Sequence, residues 1–312
     1  MIISSNSLGS RGFPTGAYSC FSANKVFRKK PPKVRTLLVL GRVSNMPTIW
    51  SNCLAGWWLG GGEKWLSLMG VCVAMSFFYL GGMFLNDAFD ADHDSQRRIT
   101  RPIPSGLITI TEVWHWGISL LAVGMICLSC MGRTATALGL ALVIAILVYD
   151  AIHKVVSLSP LVMGFCRLLV YLIAASVAAK GITGAAIWGG LALATYIVGL
   201  SFLARKEGTR ASLEYWPFLF LGAPLGLAWL VNDGFRPSSG LVSFCLAGWI
   251  IWTLRHALWR TDRNIGYTVS SLLAGVVVVD LLAVAELSNP VNWLFVPLFV
   301  MALALQRRIP AT

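Results

Sequence analysis

The chain has 312 residues, of which 56% are apolar and only 12% are charged. A soluble domain carries about 25% charged residues, so an ordinary soluble enzyme is excluded, and so apolar a chain is not a disordered one. The formal net charge of +12 suggests nucleic acid, but basic residues of membrane proteins collect in the loops of one side, and their placement decides between the two.

Residues 1–36 hold no Asp or Glu and are rich in Ser, Lys and Arg. They read as a basic cytoplasmic tail or as an organellar transit segment, and a single membrane domain is expected over 37–308. The stretch from Trp65 to Leu85 is free of charge. A bilayer core about 30 Å thick needs about 20 such residues in a helix. Apolar stretches fall at 44–61, 65–85, 113–131, 134–150, 160–179, 184–204, 215–232, 239–254, 267–285 and 290–305. They predict an all-α, polytopic membrane bundle of nine to ten transmembrane helices. Of the 25 Lys and Arg residues, only Lys64, Arg133, Lys180 and Arg236 fall in the loops of the side opposite the N-terminus, and Arg167 falls inside a span. That bias places the N-terminus and the loop over 86–112 in the cytoplasm of a bacterial inner membrane or of an organelle's equivalent. It leaves no role for nucleic acid. The seven cysteines sit mostly in apolar segments as small hydrophobes, and Cys127 and Cys130 have no nearby His or second pair to make a metal site.

Asp87, Asp90, Asp92 and Asp94 crowd into a short stretch after the second span, preceded by Asn86. On a continuing helix Asn86, Asp90 and Asp94 lie along one face. The alternative is a solvated acidic loop. Carboxylates this close repel unless a cation compensates, and hard oxygens suit Mg²⁺, which also takes phosphate and water ligands. A basic run follows, with Arg97, Arg98 and Arg101, then Pro102-Ile103-Pro104-Ser105-Gly106. Arginines pair with phosphate oxygens bidentately. Acid, metal, diphosphate and arginine thus make one consistent site.

Asn86-Asp87-x-x-Asp90-x-x-x-Asp94, followed by Arg97 and by Arg101-Pro102-x-Pro104-Ser105-Gly106, resembles the first signature of the UbiA superfamily of intramembrane prenyltransferases. The segment from Arg42 through Asn45 to Thr48 resembles the start of the family's first helix, and Tyr149-Asp150-Ala151-Ile152-His153-Lys154 its tyrosine-to-lysine motif. The resemblance implies transfer of a prenyl chain from its diphosphate to an acceptor, usually aromatic, with Mg²⁺ as cofactor and the bilayer as surroundings. By the same resemblance Asn86, Asp90 and Asp94 hold metal with Asp87 in support. Arg97 and Lys154 neutralise diphosphate, Tyr149 lines the pocket, and Arg42 and Asn45 bind substrate. The second family motif, a pair or trio of carboxylates after the sixth span, is here Ala204-Arg205-Lys206-Glu207. Glu207 is its one acid and a reduced metal ligand. Three readings follow: Arg205 and Lys206 replace the second Mg²⁺ as diphosphate clamps, the chain belongs to a divergent branch similar to the EboC-like proteins, or it binds an isoprenoid without turnover.

Other polar residues are read by position. Asp150 and His153 form an acid–base pair or an interfacial pair. Arg167, charged within a span, contacts diphosphate or snorkels to the interface. Asp280 makes a helix–helix hydrogen bond, and Gly81-Gly82 lets helices approach closely beside the acidic motif. A transporter places charge and broken helices near the midplane with internal repeats; here the polar groups crowd at one face, which favours an enzyme.

Overall fold

The computed structural model describes residues 33–205, 216–231, 237–258, 265–285 and 290–309. Among these residues every regular element is helical. In chain order they are α1 (Lys33–Leu40), a 3-10 turn (Val43–Asn45), α2 (Met46–Leu59), α3 (Trp65–Phe89), α4 (Ala91–Arg97), α5 (Ile110–Ser129), α6 (Arg133–Ile152), α7 (Ser159–Ser176), α8 (Gly184–Ala204), α9 (Pro217–Val231), α10 (Pro237–Leu258), α11 (Ile265–Val284), a second 3-10 turn (Pro290–Leu294) and α12 (Phe295–Gln306). Each of the ten expected spans contains a helix. Six of them, α3, α5, α6, α7, α8 and α11, are long and apolar enough to cross a membrane. The protein is therefore a multi-pass integral membrane protein. The 14 residues of α2 reach only about 21 Å at 1.5 Å per residue, short of the bilayer core. Residues 33–36, read from the sequence as the end of the tail, open α1.

Local chemistry sets the helix ends. Pro47 and Pro160 sit in the first turns of α2 and α7, where a missing N–H costs nothing. Thr109 and Glu112 cap α5 reciprocally: Glu112 N–H donates to Thr109 Oγ1 at 3.2 Å and Thr109 N–H to Glu112 Oε2 at 3.0 Å. Thr183 does two jobs, accepting from Ala186 N–H at 3.1 Å and donating to Leu59 O at 2.8 Å. It thereby caps α8 and fastens it to the end of α2.

Helices near in sequence pack on one another, α3 on α5, α6 on α7, and α7 and α9 on α8, and α2 packs on α7 and α11. Close contact is made through glycines. A Cβ on Gly56 would meet Tyr171 O at 2.5 Å, and one on Gly81 would meet Gly117 O at 3.0 Å. The α2–α7 and α3–α5 backbones are that near, as the Gly81-Gly82 pair led one to expect. Burial grades across the bundle: 67% of the α11 window is buried against 22% for α5, so α5 is an outer stave and α11 a central one. Leu66, Met69, Ile118, Ile126, Leu140 and Ile144 are exposed on α3, α5 and α6, which is where lipid takes the place of a core. Two aromatic side chains inside the bundle reach backbone acceptors: Tyr196 Oη donates to Leu272 O and Trp249 Nε1 to Ser271 O, both at 2.9 Å.

Candidate active site

The acidic segment is helical through a slight break. Asp90 N–H donates to Asn86 O at 3.0 Å, Asp94 N–H to Asp90 O at 2.9 Å and Arg98 N–H to Asp94 O at 2.8 Å. This i to i−4 ladder runs from the end of α3 through α4. It puts Asn86, Asp90 and Asp94 on one face, as their spacing predicts, and all three are buried together with Asp87, while Asp92 is exposed. A solvated acidic loop does not describe this segment.

Basic groups occupy the buried oxygens. Asp87 Oδ1 accepts from Arg42 Nη2 and Arg101 Nη1, each at 3.1 Å. Asp94 Oδ2 accepts from the same Arg101 Nη1 at 2.8 Å. Asp90 faces His153 Nε2 at 3.2 Å and Lys154 Nζ at 3.0 Å. Asn86 accepts from Arg42 at 3.4 Å and donates to Asp150 Oδ1 at 3.0 Å. Five elements are thereby tied at one end of the bundle. Burial pushes the Asp90 carboxyl up, but His153 and Lys154 outweigh it and hold the group below its ordinary value. For Arg42, burial opposes the charge, and Asp87 restores it and lifts the guanidinium above its usual range.

The backbone aims these groups. Arg42 takes a left-handed conformation, φ 42° and ψ 48°, which a non-glycine residue adopts at a cost of about 1 kcal/mol or more. Tyr79 Oη donates to Arg42 O at 3.2 Å, holding that turn against α3. The 98–107 loop is closed by Arg101 N–H to Arg98 O, Ser105 N–H to Arg101 O and Leu107 N–H to Pro102 O, all at 3.0 Å. It folds Arg101 back over the acidic face. Tyr149 stacks on the His153 ring with centroids 5.1 Å apart.

These residues surround the mouth of a cavity of about 640 Å³. Arg42, Asn86, His93, Arg98, Arg101, Asp150, His153, Lys154 and Arg205 line its polar end. Met75, Phe78, Leu142, Ile146, Val170, Ile197, Leu200 and Val269 line its apolar body. Cations therefore face the mouth, and Asp87, Asp90 and Asp94 stand behind them.

The donor set fits a hard divalent ion. Asp94 Oδ1 and Asp150 Oδ2 are buried without hydrogen-bond donors, His93 Nδ1 standing 3.9 Å from the former. Carboxylate and amide oxygens are what Mg²⁺ takes. Among the described residues, however, no three His, Cys, Asp or Glu side chains converge on one point. The expected metal set of Asn86, Asp87, Asp90 and Asp94 is brought together in one layer but turned toward arginine and lysine, because unneutralised buried carboxylates take the nearest cation. Lys206 and Glu207, and the side chain of Arg97, lie outside what the structure describes. Asn45 is buried on the cavity wall and Tyr149 lines it.

Arg205 and Arg167 both border the cavity and both also have partners within the protein. Arg205 borders the cavity, but its Nη1 donates to Val156 O at 2.8 Å, Ser157 O at 3.2 Å and Ser159 Oγ at 2.8 Å. It fastens the end of α8 to the α6–α7 connection. Arg167 neither snorkels nor reaches the mouth. It is buried and donates through Nη1 to Asn52 Oδ1 at 2.6 Å. Asn52 Nδ2 in turn donates to Asp280 Oδ2 at 2.7 Å, and Ser51 Oγ to the same oxygen at 2.5 Å. Asp280 does bond between helices, as its position suggests. Tyr79 and Asn52 are functional candidates that sequence reasoning did not single out. Arg101 stood in the basic run and in the family signature without an assigned partner, and Asn52 had no trace beyond an amide within a span.

A helical membrane bundle with a one-ended polar mouth over an apolar cavity defines a class: a membrane protein that holds an amphiphile by its charged head. The UbiA prenyltransferase family model matches residues 44–264, and the chain belongs to that family. Solved structures share the fold. One comes from work on digeranylgeranylglyceryl phosphate synthase in membranes, with a TM-score of 0.56 and 18% identity over 87% of this chain and 99% of that one. A UbiA homologue from Archaeoglobus fulgidus bound to GPP and Mg²⁺ has a TM-score of 0.56 and 13% identity over 87% and 99% of the two chains. The same homologue bound to DMAPP and Mg²⁺ has a TM-score of 0.55 and 14% identity over 88% and 100%. A search of the curated proteins finds no match.

Proposed function

We propose that this protein is a Mg²⁺-dependent prenyltransferase that moves a prenyl group from its diphosphate to an aromatic acceptor at the cytoplasmic face of a membrane. The observation that carries this reading is the cavity itself, with cations backed by buried carboxylates at the mouth and an apolar body of about 640 Å³. A diphosphate head fits the first and a prenyl chain the second. Asn86, Asp90 and Asp94 would hold Mg²⁺, which when bound would supply positive charge to the diphosphate. Arg42, Arg98, Arg101 and Lys154 add fixed positive charge at the same end, which stabilises the leaving group without reorganisation. Phe78, Tyr79 and Tyr149 offer ring faces to an allylic cation and to an acceptor ring, and the dry walls exclude water that would capture the cation. The charge bias of the loops supports a cytoplasmic N-terminus, and the catalytic domain runs over 37–308.

A second reading, an isoprenoid-binding protein without turnover, is favoured by Ala204-Arg205-Lys206-Glu207, where one acid stands in place of several. The experiment that separates the readings measures diphosphate release from labelled geranylgeranyl diphosphate with phenolic acceptors, with and without Mg²⁺. Parent protein should release diphosphate only with Mg²⁺. Asp90→Ala should lose about a hundredfold in rate, the scale of removing one electrostatic stabiliser. Equal rates in Asp90→Ala and the parent would remove Asp90 from the chemistry. Binding of the label without release would support the second reading.

A further inference from the structure

Asp87, Asp90, Asp94 and Asp150 are buried at the mouth, and the first three have a cation in contact. Asp87 meets Arg42 and Arg101, Asp90 meets His153 and Lys154, and Asp94 meets Arg101. Asp150, near the end of α6, is 5% exposed and borders the cavity. Among the described residues its Oδ1 accepts from Asn86 Nδ2 at 3.0 Å and its Oδ2 accepts from nothing. No ion pair among those residues reaches it. Arg42 and His153 attract it only through space, and the Asp90 carboxylate is near enough to repel it. An amide donor brings no countercharge, and a buried carboxylate is costly unless it is paired. The mouth thus has a charge deficit on its α6 side, beside the Asn86 amide.

We propose that Asp150 is a metal ligand, holding a divalent cation beside Asn86 and so supplying a carboxylate that Ala204-Arg205-Lys206-Glu207 lacks. Its unpartnered Oδ2 is a hard oxygen on the cavity wall. Asn86, the residue it touches, begins the acidic face that runs through Asp90 to Asp94. A Mg²⁺-like ion asks for only one or two carboxylates and completes its shell with phosphate and water, so few protein ligands suffice. The assignment rests on the prenyl-transfer reading only for the diphosphate oxygens that would share the ion. A proton on Asp150 would also meet the deficit, and metal affinity separates the two.

The test uses the full chain in nanodiscs of uncharged lipid with geranylgeranyl thiolodiphosphate, a donor that ionises slowly. Mn²⁺ affinity is read from the loss of the free-ion electron paramagnetic resonance signal. Asp150→Asn keeps an acceptor for Asn86 and removes the charge. It should weaken Mn²⁺ about tenfold or more, a ratio equal to about 1.4 kcal/mol. Asp92→Asn removes one charge from an exposed position of the same acidic segment and should change the affinity by less than about twofold, because exposed charge is screened. Asp150→Cys puts a soft ligand at the same point and serves if the Asn variant does not fold. Thiolate suits Zn²⁺ where carboxylate suits Mn²⁺, so its preference for Zn²⁺ over Mn²⁺ in competition should rise about tenfold or more above the parent's. Unchanged Mn²⁺ affinity in folded Asp150→Asn would overturn the assignment and leave Asp150 to a proton. An equal loss in Asp92→Asn would overturn it as a general field effect, and so would an unchanged metal preference in folded Asp150→Cys. A parent that binds no Mn²⁺ overturns both this site and Mg²⁺ dependence. A parent that binds Mn²⁺ through Asp150 but releases no diphosphate from geranylgeranyl diphosphate supports the site and strikes the prenyl-transfer reading alone.

Discussion

The cavity mouth and the middle of the bundle both hold buried charge, on different terms. At the mouth, Asp87, Asp90 and Asp94 contact Arg42, Arg101, His153 and Lys154 directly, at 2.8 to 3.2 Å. The partners there are 12% to 38% exposed. In the middle, Arg167 and Asp280 meet through Asn52 and are almost wholly buried. The mouth is an exchangeable arrangement. Water reaches its cations, and under the proposed function each carboxylate would pass from a side chain to a metal ion while the released cations turn to phosphate. In the middle Arg167 borders the cavity while Asp280 is fully enclosed. The lesson is that charge which must rearrange is placed where water can help, and charge that fixes helix positions is placed where it cannot.

The contrast predicts opposite responses. Asp280→Ala leaves Arg167 without its counterion and should destabilise the protein by about 3 kcal/mol or more, the cost of breaking a buried pair. It should do so equally with and without Mg²⁺ when unfolding is followed thermally. A variant as stable as the parent would show that the middle pair carries no structural load. Next in size, Arg101→Gln frees Asp87 and Asp94 together. Its unfolding temperature should fall without Mg²⁺ and recover on Mg²⁺ addition by more than the parent gains, because a ligand that binds only the folded state stabilises it. No differential recovery would mean that these oxygens do not take metal.

Smaller effects sharpen the same picture. Arg205→Ala loses bonds to Val156, Ser157 and Ser159 at the protein surface and should cost about 1 kcal/mol. The readout is faster proteolysis of the α6–α7 connection. Unchanged cleavage would remove Arg205 from that fastening. The pH response is smallest. The Asp90 carboxyl is held below its ordinary value, so its ion pairs contribute fully above the unfolded carboxyl's pKa of about 4 and are lost as pH falls through the lowered folded value. Thermal stability should be flat from neutral pH to about 5 and fall below about 4, and Asp90→Asn should make that fall shallower. An identical acid limb in the variant would assign it to other groups.

Much of the fold was legible because lipid imposes it. Each apolar stretch had to become a helix to satisfy its own backbone, and each of the ten contains one. The acidic face was legible too, because the spacing of Asn86, Asp90 and Asp94 encodes a helical face and the i to i−4 ladder carried it across the α3–α4 break. Arg101 was harder, since nothing local says that the 98–107 loop folds back over the face it follows. The partners of Arg205 were not legible: sequence shows a cation beside a motif but not the three acceptors of the α6–α7 connection.

The sequence by itself determined that this is a helical membrane protein with its acidic and basic groups gathered at one end, because hydropathy, loop charge and helical period are local properties. It also carried the family signature. Only the tertiary structure decided which cation meets which carboxylate, and that Asn52 and Asp280, 228 positions apart, meet beside Arg167. The reason is physical. A buried charge takes the partner that helix packing brings within about 3 Å, and in this bundle that distance is fixed by glycine contacts and interhelical crossings far along the chain from the charges they join.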